Sequence, residues 1–207
     1  MVAVNEIFYS VQGETSLVGK PAVFVRLGGC NLNCTWCDTV YARSGGQSVS
    51  VNRIVERIKD FPTSLVIVTG GEPLLQTESF LLMDRLVNLD YRVVLETNGS
   101  LNINRVPEKV KIIMDIKTPS SMETKANNIK NLDYLDQNDE LKFVIKDEKD
   151  FFWSIVRLKK WSEQKPDEIL FSPAAEGIGF RKLFQLLMKH YPEGRIQTNI
   201  HRIYNLK

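Results

Sequence analysis

Cysteine is scarce here: three residues in 207, all between positions 30 and 37. An odd, clustered set with no thiol elsewhere to pair with excludes a disulfide framework. No apolar run approaches the ~18 residues a membrane helix needs, so a spanning protein is not expected. Met1 to Gly13 has neither a basic start nor a long apolar stretch, so no secretory leader is expected. Charge of one sign is also missing. Lys plus Arg number 27 and Asp plus Glu 25, which gives no electrostatic case for nucleic acid or an anionic membrane as partner. With 12 Gly, 8 Pro and 43% hydrophobic residues, the chain is neither collagen-like nor disordered. What remains is a globular chain, read as one domain over residues 1–207. The cysteines point to metal or redox chemistry in a cytoplasmic setting.

Two kinds of segment alternate. Short apolar runs read as buried strands at Ala22 to Leu27, Leu65 to Val68, Arg92 to Leu95, Val110 to Met114, Leu141 to Ile145 and Glu168 to Phe171. Between them, Val51, Ile54, Val55 and Ile58 repeat with helical period, as do Phe180, Leu183, Phe184 and Leu187. Phe80 to Leu89 reads as a helix covered on several sides, and Phe152, Ile155 and Val156 mark another. Ser120 to Glu140, the most polar region, reads as a surface helix and loops. Alternating strand and helix predicts an α/β fold with a parallel sheet, either an open or incomplete barrel or a doubly wound sheet. In both, chemistry belongs at the carboxyl ends of the strands.

The cysteines follow the first of these strands, in Gly28-Gly29-Cys30-Asn31-Leu32-Asn33-Cys34-Thr35-Trp36-Cys37-Asp38-Thr39. The glycines and asparagines favour a loop over a helix, which weakens a reading as three packed core thiols on one helix face. Three thiolates around one point suit a 4Fe–4S cluster with one iron left open. A structural zinc would want a fourth ligand, and the two histidines, His190 and His201, lie far along the chain. Polar residues then recur at strand ends: Thr69-Gly70-Gly71-Glu72-Pro73, Glu96-Thr97-Asn98-Gly99, Asp115-Ile116-Lys117 and Ser172-Pro173. Each alone can be a turn, a cap or a surface charge. Glycines at a strand end also let a ligand approach the backbone.

The Cys-x3-Cys-x2-Cys spacing, with an aromatic residue before the third cysteine, resembles the signature of the radical S-adenosylmethionine (SAM) enzymes. That resemblance implies a cluster whose open iron is chelated by SAM. An electron from the cluster then breaks a carbon–sulfur bond of SAM, and the resulting radical abstracts a substrate hydrogen. It implies SAM contacts at Trp36, Asp38, Gly71, Glu72, Glu96, Asp115, Ile116, Lys117 and Ser172. For Trp36 a plain buried tryptophan is the alternative.

The segment Glu6 to Glu14, the run Gly19 to Arg26 and Cys37-Asp38-Thr39 together resemble the 7-carboxy-7-deazaguanine synthase family. The resemblance implies a trimmed radical SAM core, an incomplete (β/α)6 TIM-like partial barrel. It implies ring contraction of 6-carboxy-5,6,7,8-tetrahydropterin to 7-carboxy-7-deazaguanine with loss of ammonia. It also implies Mg²⁺ at Thr39, an electron donor such as flavodoxin or ferredoxin, and a homodimer. Substrate contacts are expected at Gln12, Gly13, Glu14, Arg26, Thr69, His201 and Lys207. Arg26 offers a planar fork for the substrate carboxylate. The chain departs from the family at Asp115-Ile116, where Ser-Pro is common, and at its C-terminus. Two other readings are an activating enzyme for a glycyl-radical protein and a non-catalytic metal-cluster module. Neither has an obvious use for Gln12-Gly13-Glu14.

Overall fold

The computed structural model describes residues 1–161 and 166–206. It opens with an antiparallel pair, β1 (Val2–Val11) and β2 (Pro21–Leu27), and β3 (Gln47–Val49) adds antiparallel to β1. From β2 onward every neighbouring pair is parallel: β4 (Leu65–Gly70), β5 (Arg92–Thr97), β6 (Lys111–Ile116), β7 (Glu140–Ile145), β8 (Glu168–Pro173) and the short β9 (Arg195–Ile196). The nine strands form one sheet in the order β3-β1-β2-β4-β5-β6-β7-β8-β9. A doubly wound sheet needs a point where that order reverses. There is none from β2 to β9, so the six main parallel strands form an incomplete barrel.

Four helices lie between strands, α1 (Val51–Lys59), α2 (Glu78–Asn88), α3 (Glu148–Lys160) and α4 (Phe180–His190), and the short α5 (Ile200–Ile203) follows β9. Ser50 caps α1 by accepting from the Arg53 amide at 3.2 Å, and Asp147 caps α3 by accepting from the Asp150 amide at 3.0 Å. Val51, Ile54, Val55 and Ile58 of α1 are all buried, as their spacing predicts. Each such side chain is worth about 1.5–3 kcal/mol.

Three expectations for the helices are corrected. Helix α2 buries Leu82, Met83 and Leu86 but leaves Leu81 and Leu89 exposed, so it is covered on one side only. Helix α3 faces the core through Phe151, Ile155 and Leu158, while Phe152 and Val156 face outward. Helix α4 packs with Leu183, Leu186 and Leu187, leaving Phe180 and Phe184 stacked on each other at the surface. In each case the chain holds more apolar residues than one face needs: Ile155, Leu183 and Leu187 are buried as their spacing predicts, while Phe152, Val156, Phe180 and Phe184 are the surplus. Ser120 to Glu140 contains three short 3-10 turns among the described residues and no α-helix. There the buried Asn131 amide donates to the carbonyls of Gly99 and Leu101.

The pleat decides which side chains reach the site. Along each strand alternate residues face outward to the helices; Val25, Val68, Leu95, Met114, Ile116 and Phe143 all join that core. The residues between them face inward. Phe24, Ile67, Val94 and Ile113 form a second, smaller apolar cluster with Leu17. Two positions further along the same face come Arg26, Thr69, Glu96 and Asp115. The inner floor is therefore apolar and the layer above it polar. Leu17 belongs to the β1–β2 connection, which turns back into the barrel. The buried Glu140 carboxylate holds that connection through the Ser16 amide and hydroxyl, and pairs with Lys111 at 2.9 Å.

Candidate active site

One cavity lies at the carboxyl ends of β2, β4, β5, β6, β7 and β8, where the fold rule places chemistry. Cys30, Cys34 and Cys37 line it together with Trp36, Asp38 and Thr39. So do Gln12, Gly13, Glu14, Arg26, Thr69, Gly71, Glu96, Asp115, Lys117, Ser172 and His201. Residues scattered over nearly the whole chain thus share one chamber. Glu72 and Ile116 do not line it, and Lys207 lies outside the described residues.

The two absences have physical causes. Ile116 points outward into the helix-side core because Asp115 and Lys117, on either side of it, point inward. Glu72 is fully buried. Its carboxylate accepts from the Leu74 amide at 3.0 Å, the Thr97 hydroxyl at 2.9 Å and the Asn98 amide at 2.7 Å. Burial pushes its pKa up despite these bonds. It straps the β4 loop to the end of β5. The Gly70-Gly71 pair serves a close approach of backbone to backbone. A Cβ on Gly71 would lie 2.1 Å from the Gly29 carbonyl oxygen, and the Glu72 amide donates to that oxygen at 2.8 Å. The cysteine loop is thereby seated directly on the β4 turn.

Further contacts hold the cysteine loop. Arg43 donates to the Cys34 carbonyl at 2.6 Å and to the Asn33 side chain. The Asn98 amide donates to the Asn31 side chain at 3.1 Å and lies 3.9 Å from the Cys30 sulfur. Burial raises the Cys34 pKa, opposed by the nearby Lys117 ammonium. Among the described residues, no three His, Cys, Asp or Glu side chains gather to hold a single metal ion. A zinc site would need such a gathering. An iron–sulfur cube instead takes each thiolate at a different corner, which three cysteines around one cavity wall suit. The cavity also holds two buried polar atoms without a protein partner, Trp36 Nε1 and Asp115 Oδ1. Such atoms are costly unless a ligand satisfies them, and both stand beside the cysteines and Lys117. Lys117 Nζ lies 5.3 Å from the Trp36 ring centre and 3.2 Å from Asp115 Oδ2.

The opposite wall carries a polar network. Thr69 donates to Glu96 at 2.8 Å, and the Gln12 amide donates to the other Glu96 oxygen at 3.0 Å. The Gln12 oxygen accepts from the Glu14 amide at 3.2 Å. Arg26 donates through Nε to Glu6 at 2.9 Å, and its guanidinium lies beside the Phe8 and Tyr41 rings. Glu14 is engaged by Lys142, Gln197 and Asn199, none of which the sequence reading singled out. Arg202, also on the cavity lining, pairs with Asp38. Burial opposes ionisation of Asp38, but Arg202 and Lys142 outweigh it and hold its pKa below the usual carboxylate range. A sequence signal for Lys142 did exist: it is the one cation within the otherwise apolar run Leu141 to Ile145.

Comparison with known proteins agrees with this geometry. The Radical SAM superfamily profile matches residues 24–127. The chain is 42% identical over 174 residues to the 7-carboxy-7-deazaguanine synthase of Koribacter versatilis, covering 83% of this chain and 77% of that one. It is 36% identical over 202 residues to the enzyme of the same name from Chlorobaculum tepidum, covering 96% and 92%. The crystal structure of QueE from Escherichia coli superposes with a TM-score of 0.78 at 21% identity, over 95% of this chain and 92% of that one, which shows the shared fold. The chain therefore belongs to the 7-carboxy-7-deazaguanine synthase family of the radical SAM superfamily.

Proposed function

We propose that this chain converts 6-carboxy-5,6,7,8-tetrahydropterin to 7-carboxy-7-deazaguanine in the cavity described above. The observation that carries the reading is the two-sided wall: three cysteines with Trp36 and Lys117 on one side, Gln12, Glu14, Arg26 and His201 on the other. Cys30, Cys34 and Cys37 would hold a 4Fe–4S cluster, and Asp115, Lys117, Glu96, Asp38 and Ser172 would meet SAM. When bound, these groups supply the one-electron cleavage that starts radical chemistry. The chain's own part is binding and orientation. Arg26 presents a cation to the substrate carboxylate. Gln12 and Glu14 present an amide and a carboxylate to the pterin edge, and Thr69 continues that polar layer.

Mg²⁺ is assigned to Thr39, whose hydroxyl lines the cavity 3.4 Å from Asp38 Oδ1. A hard cation that keeps several waters suits such an oxygen-poor position. A homodimer is supported by the exposed apolar side chains Phe152, Val156, Phe180, Phe184 and Met188 on α3 and α4. A cytoplasmic location with flavodoxin or ferredoxin as reductant completes the reading. No helix among the described residues is long and apolar enough to cross a membrane.

The test is an anaerobic assay of the reconstituted protein with dithionite, SAM, Mg²⁺ and the pterin, read by mass spectrometry. Formation of 7-carboxy-7-deazaguanine, abolished by Cys34→Ala and weakened by Arg26→Ala, supports the assignment. 5′-Deoxyadenosine without the deazapurine would overturn the substrate and point to an activating enzyme. A loaded cluster with neither product would point to a non-catalytic module. Thr39→Val should lower the stimulation by Mg²⁺, and light scattering should give twice the chain mass.

A further inference from the structure

Lys142 stands on the inward face of β7, with side-chain exposure of 17%. A buried ammonium is costly unless paired. Its Nζ lies 2.9 Å from Glu14 Oε2 and 4.0 Å from Asp115 Oδ2. The two carboxylates belong to opposite halves of the cavity: Glu14 to the pterin wall, Asp115 to the side of Lys117 and the cysteines. Gln197 adds a bond to Glu14 Oε2 at 3.0 Å, and Asn199 one to Oε1 at 2.9 Å. Three donors from β7 and the C-terminal segment thus fix one carboxylate, leaving it fewer lone pairs and one orientation.

We propose that Lys142 is a positioning residue that keeps Glu14 an oriented hydrogen-bond acceptor for the N–H edge of the substrate and ties that edge to the Asp115 side of the cavity. The inference rests on the substrate reading above. Its logic is electrostatic. Glu14, Glu96 and Asp115 crowd one chamber, and like charges held together favour protonation of at least one of them. A protonated Glu14 would offer an O–H where the substrate edge needs an acceptor. Glu14 is faced by Lys142 from β7, His201 from α5 and Asp38 from the cysteine loop. Lys142 is faced by Glu14, Asp115 on β6 and Glu96 on β5. Burial opposes ionisation of Glu14, yet Lys142 outweighs it and the pKa falls below the usual range. The same carboxylates overcome burial at Lys142 and raise its pKa.

The test is equilibrium binding of 6-carboxy-5,6,7,8-tetrahydropterin to the reconstituted holoenzyme with SAM and no reductant, together with KM and kcat under turnover. Lys142→Met should weaken binding roughly ten- to hundredfold and raise KM far more than it lowers kcat. From about pH 6 to about pH 8 the Met variant should gain affinity relative to the wild type as Glu14 deprotonates. The double variant Glu14→Gln/Lys142→Met removes both charges and keeps the cavity balanced, so it folds even if the single variant does not. It should bind no worse than Glu14→Gln alone. A further tenfold loss in the double variant, or wild-type affinity in Lys142→Met, overturns the proposal while leaving the substrate reading intact. A wild-type holoenzyme that cleaves SAM but binds no pterin overturns the substrate reading, and the proposal with it.

Discussion

Gly13 and His201, 188 positions apart in the sequence, are in direct contact. A Cβ on Gly13 would lie 2.0 Å from His201 Nδ1 and 2.9 Å from its Cβ. The Ile200 amide also donates to the Gly13 carbonyl at 3.1 Å. The glycine is therefore what lets the C-terminal segment lie on the Gln12-Gly13-Glu14 turn. Gly13→Ala should push the imidazole out of the cavity without unfolding the sheet. The expected result is a KM for the pterin raised at least tenfold with the melting temperature little changed. An alanine variant with wild-type KM would show that the His201 ring has room to move and no part in binding.

Glu72 leads to a different kind of prediction. It is part of the Gly-Gly-Glu motif, yet its carboxylate is spent on two backbone amides and one hydroxyl. Glu72→Gln converts one acceptor oxygen into an NH2 group facing donors. Leaving a buried donor unpaired costs about 1–3 kcal/mol. The variant should unfold at lower urea concentration while its affinity for SAM stays within about twofold. If SAM affinity collapses and stability does not, the side chain has a role in binding that its contacts do not reveal.

These two residues also show how far the sequence could be read. The six parallel strands were legible because buried parallel strands are continuous apolar runs, and the cysteine spacing located the cavity. β1 was not legible as a strand: its polar residues Asn5, Glu6 and Ser10 break the apolar run, and its pairing with β2 follows only from the antiparallel register. Ile116 and Glu72 were placed in the site by motif. For Ile116 the inward or outward direction is set by the pleat of β6, and for Glu72, which lies beyond the end of β4, by the donors that capture its carboxylate; a motif carries neither. Lys142, Gln197 and Asn199 escaped for the opposite reason. Each is an ordinary polar residue until the fold brings it to Glu14.

Stability should follow the Glu14 and Lys142 pair across pH. Glu14 has a folded pKa below its ordinary value of 4.5. Its contribution is fully present above that value and is lost as pH falls through the folded pKa. Lys142 has a folded pKa above its ordinary value of 10.5. Its contribution is present below that value and is lost as pH rises through the folded pKa. Urea titrations of wild type and Glu14→Gln should differ by a constant few kcal/mol between about pH 6 and about pH 9. The gap should narrow at pH values below the ordinary Glu14 pKa of 4.5. A gap that widens toward acid would mean that the Glu14 carboxyl is held protonated in the folded chain.

Asn98 supplies a prediction about the cysteine side of the cavity. Its Nδ2 lies 3.9 Å from the Cys30 sulfur, and its Oδ1 is fixed by the Ser100 amide at 2.9 Å and the Ser100 hydroxyl at 2.6 Å. The amide is thus aimed at the sulfur by a turn at the end of β5. Hydrogen bonds to cluster sulfurs set the reduction potential, because they favour the more negatively charged reduced form. With the cluster in place, Asn98→Ala should lower its midpoint potential, measured by electron paramagnetic resonance during a redox titration. Ser100→Ala removes one of two bonds to Oδ1 and leaves the amide in place, so its shift should be smaller. Asn98→Ala also cuts the tie to Asn31, which would loosen the loop, but loosening admits water and raises the potential. A shift to higher potential would therefore assign Asn98 to holding the loop, and a shift to lower potential to tuning the cluster.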